Sequence, residues 1–505
     1  MLDYLRFARF AIDLRRKHGS RKNVSNAWVI FKRAHPYPER GEEVMRSVRL
    51  FRFAPAVSAV LTLLASLADT VMAQPGATHQ FVITHVQIVD TRTGKLLEDR
   101  DVVIRGDRIL SIDPARSVPP EANSISLDGR GKYLIPGLWD CHVHLSFTTN
   151  SALPLFVALG ITEVRDLGSK FTEIEEWRVR IADGSLTGPH IMRVGPILNG
   201  KSFNEYQFVP GSAEATRGAV RLLSFIGVDE IKVHRRMPRD WYYAALDESK
   251  KLNIALVGHV PMEVTPEEAS NAGQAMLEHT ETLFEGKFSA NLKDAQVAGA
   301  IHDWLATDQP DKLFATFVKN GTWIDPTLAG GLEMVTIFDP AIQPDPLYRY
   351  VASSQRSQWA EYQKQHPMSA DELRSFRDHM NVLLEVTGRM HQDHVPLVAG
   401  TDAAGPRLVA FSLHQELAVL VRAGLSPLEA LQAATLNPAI AFHRTSDLGV
   451  VEPGKLADLV LLDANPLDHI ENTQRINAVI ETGKLYRRSD LDHLLSEAEH
   501  LAATH

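Results

Sequence analysis

The sequence predicts an α/β protein: a distorted (β/α)8 barrel of the TIM type, with a small β-sandwich formed from both terminal segments. Three observations carry this prediction. Short apolar runs alternate with helical stretches through the middle of the chain, eight such runs can be counted, and segments of strand character stand at both ends. The 505 residues are 44% hydrophobic and 23% charged. That is ordinary for a globular chain, and a barrel of about 250 residues plus a smaller companion fits the length.

The chain opens with residues 1–73, a segment unlike the rest. Arg46, Arg49 and Arg52 form a positive region, Ala54 to Ala68 is apolar, and Val71-Met72-Ala73 offers small residues for cleavage before Gln74. This reads as a secretory signal cut after Ala73, giving a periplasmic or secreted protein. The apolar run falls short of the roughly 18–20 residues of a spanning helix, so no stable membrane span is expected. Met45 stands where a start would give a signal of normal length, which makes residues 1–44 an over-extended start. The alternative is that the basic amphipathic stretch Leu2 to Lys17 forms a surface helix or tail.

Residues 74–133 supply the first part of the sandwich. Phe81-Val82-Ile83, Val86-Gln87-Ile88-Val89, Val102-Val103-Ile104 and Ile109-Leu110-Ser111-Ile112 read as strands, with turns at Thr93-Gly94 and Gly106-Asp107. The second part, residues 446–505, returns with Asp458 to Asp463 and Ala478-Val479-Ile480. Between them, residues 134–445 hold the barrel. Its strands are expected near Leu134–His144, Thr162–Asp166, His190–Val194, Glu230–His234, Ala255–His259, Ala275–His279, Thr322–Pro326 and Leu397–Asp402. Helices such as Pro266–Ala272, Leu413–Ala423 and Pro427–Ala434 separate them. Residues 327–392, too long for an ordinary connection and containing the helical run Gln355 to Gln365, read as a lid insertion.

Charge narrows the partners. Residues 1–73 carry 13 Lys and Arg against 6 Asp and Glu, which leaves 40 against 56 and a net −16 for the remainder. An acidic body repels phosphate backbones, so no nucleic acid is expected and a small molecule is the default partner. Cys141, the single cysteine, cannot form an intramolecular disulfide and reads as buried packing. A homo-oligomer is compatible with the sequence.

The chemistry begins at Asp140-Cys141-His142-Val143-His144. On a strand, i and i+2 share a face, so His142 and His144 both address the barrel mouth and can share one metal. His259, His279 and Asp402 each follow an apolar strand, at the C-terminal end that carries active sites in such barrels. Imidazoles with a carboxylate suit Zn²⁺ or a similar transition metal better than Mg²⁺ or Ca²⁺.

These residues carry a resemblance that covers nearly all of the chain after Gln74. Leu134 to His144 resembles the first-strand motif of the amidohydrolase superfamily, and Gly160 to Asp166 its second strand. Pro427 to Ala439, followed by Gly449 to Val460, is similar to the closing signature of the imidazolonepropionase-like and prolidase-like branch. The resemblance implies a barrel flanked by a β-sandwich and hydrolysis of C–N bonds. It further implies that Lys232, in Glu230-Ile231-Lys232-Val233, is N6-carboxylated and bridges two divalent metal ions, with Zn²⁺ the leading candidate. A carbamate offers the two anionic oxygens that a neutral amine lacks. The other reading is a plain lysine that pairs with Asp229 or Glu230. By resemblance, His142, His144 and Asp402 hold one metal, and His259 and His279 the other. A metal-activated water would attack the carbonyl, while Asp402 takes its proton and passes it to the departing amine.

Two stretches depart from the pattern. Gly195 to Lys201 replaces a glycine- and histidine-rich loop of related proteins, and His234 to Arg239 is unusually basic. An arginine there either clasps a substrate carboxylate or belongs to a solvated loop. His414 and Glu416 read as residues that orient the loop after the eighth strand, or that pack a helix start. The expected function is an exported amidohydrolase of dipeptidase or amidase type acting on a small amide or dipeptide. The alternatives are a mononuclear cyclic-amide hydrolase of the imidazolonepropionase kind and a barrel that binds without catalysis.

Overall fold

The computed structural model describes residues 80–116, 125–148, 150–286, 294–339, 345–403 and 408–504. The expected signal and extension, residues 1–73, lie outside them. Among the described residues no helix is long and apolar enough to cross a membrane.

Both terminal segments join one eight-stranded sheet. From the first segment come β1 (Gln80–Val89), β2 (Leu96–Arg105), β3 (Arg108–Pro114), β4 (Ile125–Asp128) and β5 (Tyr133–Pro136). The barrel strands β6 to β14 intervene. The last segment adds β15 (Leu459–Leu462), β16 (Ile476–Glu481) and β17 (Lys484–Arg487). The order is β17-β16-β15-β5-β1-β2-β3, with β4 alongside β1. Strand periodicity explains the burial: Phe81, Ile83, Val102, Ile104, Leu459, Leu461, Ala478 and Ile480 share one apolar cluster. The two short runs expected before Val89 form the single strand β1, whose register shifts between Ile83 and Val86. His85, in the left-handed region there, absorbs the irregularity.

The barrel follows the βα alternation. Its strands are β6 (Leu138–Val143), β7 (Ile161–Asp166), β8 (His190–Arg193), β11 (Glu230–Val233), β12 (Ala255–Gly258), β13 (Met276–Glu278) and β14 (Trp323–Asp325), with short β9 (Ile197–Leu198) and β10 (Gln207–Phe208) after β8. Every residue of β6, β7 and β11 is buried, as parallel strands covered on both faces require. The ring continues through Asp229 N–H donating to Arg193 C=O at 2.8 Å. The eighth segment is not a regular strand: Leu397 bridges Ile324 and Ala403 bridges Val143, while Ala399 N–H is taken by Ala433 C=O. Helices pack between strands, and Pro266–Ala272 opens with a capping box of Thr265 and Glu268.

One expected boundary moves. The run Leu134–His144 is two strands: Leu134 to Pro136 belong to β5, paired with β1 and β15, and only β6 enters the barrel. Gly137 makes the exchange. Its N–H donates to Asp458 C=O at 2.7 Å, whereas Leu138 N–H turns to Gly160 C=O. A Cβ on Gly137 would lie 2.0 Å from Thr162 Oγ1, so only glycine fits the crossing.

The insertion after β14 folds as three helices, Leu328–Phe338, Ser353–Gln365 and Ala370–Gln392. The described residues that line the cavity at the barrel mouth come from other segments.

Candidate metal centre at the barrel mouth

The structure brings the sequence-predicted residues together at the C-terminal ends of the barrel strands. His142 and His144 leave the end of β6, Lys232 lies on β11, and His259 and His279 directly follow β12 and β13. Asp402 stands opposite: its Oδ1 is 3.3 Å from His144 Nε2 and 3.6 Å from His142 Nε2. One ligand atom from each of these three residues falls within 4.8 Å of the others. His279 links the groups, its ring centroid 4.8 Å from that of His142 and 4.7 Å from that of His259. Lys232 Nζ lies 3.2 Å from His142 Nε2.

Each imidazole is oriented through Nδ1. Gly168 C=O accepts from His144 Nδ1 at 2.7 Å, Thr327 Oγ1 meets His279 Nδ1 at 2.6 Å, and Glu285 Oε2 lies 3.4 Å from His259 Nδ1. His142 Nδ1 faces Glu278 Oε2 at 3.3 Å without a completed hydrogen bond. Ring nitrogens so occupied leave Nε2 as the lone-pair donor, the arrangement found around bound metals. Both His279 and Asp402 have left-handed backbones, at φ 70° and 49°, a conformation that side-chain-bearing residues adopt when the surroundings enforce it.

The enforcing contacts are visible. Asp402 N–H donates to His142 C=O at 2.8 Å. Asp140, fully buried, accepts from His142 N–H at 3.2 Å, Thr401 N–H at 3.1 Å and Thr401 Oγ1 at 2.8 Å. It thereby ties the strand of two candidate ligands to the segment of a third. Burial pushes the Asp140 carboxyl up to about 7.

The charge layer beneath was not anticipated. Arg165 is wholly buried and donates to Glu230 at 2.6 Å and to Glu278 at 3.0 Å. Burial opposes a charge on Glu278, but Arg165 holds its carboxylate well below the usual range. Asp325, also fully buried, sits 3.6 Å from His142 Nδ1, and burial raises it well above an ordinary aspartate. These pairings remove the alternative for Lys232: Glu230 is engaged by Arg165 and Asp229 by Arg193. Burial lowers Lys232 to about 8 and His142 to about 3, and drives His279 lower still.

Above these residues opens a cavity of about 310 Å³, lined by His144, Lys232, His259, His279 and Asp402 together with Phe147, Asn204, Tyr206, Gln207, His234 and Arg235. Of the basic loop, only Arg235 reaches it, beside Glu285 at 3.4 Å; Arg239 is engaged by Glu268. His414 and Glu416 act elsewhere than on the eighth-strand loop. Glu416 accepts Leu328 N–H and Ala329 N–H, fixing the turn that carries Thr327 and through it His279, while His414 meets Thr473 and Leu159 C=O. Cys141 is buried, as expected.

Fold and site together define a βα-barrel with histidines and a carboxylate converging at its mouth. The amidohydrolase family model matches residues 133–485, and the chain belongs to that family, whose named members hydrolyse C–N bonds. It is 23% identical over 402 residues to an adenine deaminase of Staphylothermus marinus, covering 75% of this chain and 54% of the deaminase. It thus spans about half the length of that relative. An ochratoxinase of Aspergillus niger is 23% identical over 449 residues, covering 78% of this chain and 84% of the other. A solved Xaa-Pro dipeptidase with bound methionine superposes with a TM-score of 0.60 at 20% identity, over 81% of this chain and all of the dipeptidase, and so shares the fold.

Proposed function

We propose that the protein is an exported, metal-dependent amidohydrolase that cleaves an amide or peptide C–N bond in a small substrate. The observation that carries this reading is the convergence of four imidazoles, oriented through Nδ1, with Lys232 and Asp402 on the floor of one polar cavity. In this reading His142, His144 and Asp402 hold one divalent metal, His259 and His279 a second, and carboxylated Lys232 bridges both.

The donor set fits such ions. Imidazoles must be neutral to bind a metal, and burial keeps His142 and His279 so. A lysine lowered to about 8 reaches the neutral amine that reacts with CO₂ near physiological pH. Nitrogen and oxygen donors in this mixture favour Zn²⁺ or a similar transition metal. When bound, such a metal acidifies a water and polarises the scissile carbonyl. Asp402 Oδ1, placed beside both β6 histidines, accepts the proton of the attacking water and returns it to the departing nitrogen. His234, Tyr206 and Arg235 face the substrate across the cavity.

The apolar cluster shared by β1, β2, β15 and β16 supports reading the terminal sheet as a small sandwich folded around its own core. Export rests on the signal-like segment 46–73, and the likeness to a dipeptidase supports peptides as the first substrates to try.

The test is metal content and turnover of the chain starting at Gln74, as wild type, Lys232→Ala and Asp402→Asn, against dipeptides and N-acylated amino acids. Lys232→Ala should lose bound metal and activity together, and Asp402→Asn should lower kcat by about 10²–10⁴-fold. Metal and activity indifferent to Lys232 would overturn the bridged pair. That outcome would favour the mononuclear cyclic-amide reading, which the single three-donor group of His142, His144 and Asp402 supports.

A further inference from the structure

We infer that Glu163, His190, Asp458 and Glu481 form a separate divalent-cation site at the opposite end of the barrel, where β7 and β8 meet the terminal sheet. Glu163 on β7 and His190 at the start of β8 are direct cross-strand partners. Asp458 immediately precedes β15 and Glu481 ends β16, and the pairing of Leu459 with Ile480 brings those two positions side by side. One ligand atom each from Glu163, His190 and Asp458 lies within 4.8 Å of the others, and His190 Nε2 is 3.6 Å from Asp458 Oδ2.

An acidic cluster alone would carry little. Here Glu163 is 2% exposed, Asp458 2% and Glu481 5%, and each has a buried oxygen, Oε1, Oδ2 and Oε1 respectively, without a hydrogen-bond donor. Buried carboxylate oxygens are rarely left so unless a proton or a cation completes them. Protein cations do not: Arg444 acts on Glu163 and Lys484 on Glu481 only through space, with no direct ion pair. The remaining contacts are local, Thr482 N–H to Asp458 Oδ1 at 2.7 Å and Thr482 Oγ1 to His190 Nε2 at 3.3 Å. The His190 side chain, 38% exposed, gives an ion its way in from solvent. One imidazole with several carboxylates suits Mn²⁺ or Zn²⁺ better than the all-oxygen shells of Ca²⁺. Ligands from both the barrel and the sheet would make the ion a clamp between them.

The test uses the full chain with the mouth disabled by His144→Gln and Asp402→Asn, titrated with Mn²⁺ by electron paramagnetic resonance and melted with and without the ion. About one Mn²⁺ per chain should remain and raise the Tm. Adding Glu163→Gln should weaken that binding at least tenfold and abolish the rise. His190→Gln, at the half-exposed edge, makes the same test should Glu163→Gln fail to fold. No binding in the mouth-disabled chain would overturn the proposal and leave a cluster completed by shared protons only. Binding indifferent to Glu163 and His190 would overturn it equally.

Discussion

Replacing Gly400 by alanine adds one methyl group between two fully buried side chains that have no space to yield. Its Cβ would lie 2.2 Å from Asp325 Oδ2 and 2.6 Å from His142 Cβ. Ordinary carbon contacts begin near 3.5 Å, so one neighbour must move by about 1 Å. His142 is held from both sides, its N–H by Asp140 and its C=O by Asp402 N–H, so a shift there also shifts Asp402. The backbone at Gly400 is not left-handed, which makes the penalty steric alone: about 1–3 kcal/mol of stability. A displacement of 1 Å at a reacting centre costs on the order of 10²-fold in rate. The assay is kcat/KM on the best amide substrate, with metal content and thermal melting on the same samples. Gly218→Ala is the control: nothing lies within 4 Å of its Cβ, in the helix Ala213–Ile226, and a gain of up to about 1 kcal/mol is expected. Activity of Gly400→Ala within about threefold of wild type, at unchanged metal content, would refute the claim that Gly400 is the contact point locking His142 to Asp402.

Further expectations concern the groups beneath and beside the mouth. Arg165→Met leaves Glu230 and Glu278 buried without a counter-charge and should cost about 3–5 kcal/mol in denaturant unfolding; adding Glu230→Gln should recover part of it. Burial raises the Glu416 carboxyl from its ordinary 4.5 to about 7. Its protonated form is therefore favoured in the folded state, a contribution fully present below about pH 4.5 and lost as the pH rises through about 7. Glu416→Gln should flatten that decline in urea unfolding at pH 5 and pH 8, and an unchanged slope would assign it elsewhere. Thr265→Ala removes one side of a capping box and should lower stability by about 1 kcal/mol with metal content unaffected, as read by melting and elemental analysis.

What could be read from the sequence, and what could not, follows from geometry. His142 and His144 were legible because strand period places i and i+2 on one face, and His259 and His279 because each directly follows a short apolar run. Glu278 and Asp325 were not: a lone acid at a strand end reads as a solvent-facing terminus. A signal was present nonetheless, since parallel barrel strands have no solvent side and any acid in them must find a buried partner. Arg165 is that partner for Glu278, from a strand more than a hundred residues earlier. The break at Gly137 was hidden because β5 and β6 form one unbroken apolar run; only the change of hydrogen-bond partners, to β15 on one side and β7 on the other, separates them. The pair of left-handed residues, His279 and Asp402, also lies beyond sequence pattern, because neither is a glycine and both are enforced by tertiary contacts.

The pairing of β5 with β15 has a consequence for how the chain is made. Pro136 meets Leu459, 323 positions later in the polypeptide. At about 5–20 residues per second a ribosome takes roughly 16–65 s to deliver that partner. Throughout this interval one edge of β5, including the apolar Leu134 and Ile135, has its backbone groups unpaired and open to other nascent chains. The barrel can assemble in the meantime, but its first strand hangs from an unfinished sheet. A stop codon anywhere before β15 would leave that edge permanently bare, so even short truncations at the far end should produce insoluble protein while leaving every candidate metal ligand at the mouth in the sequence.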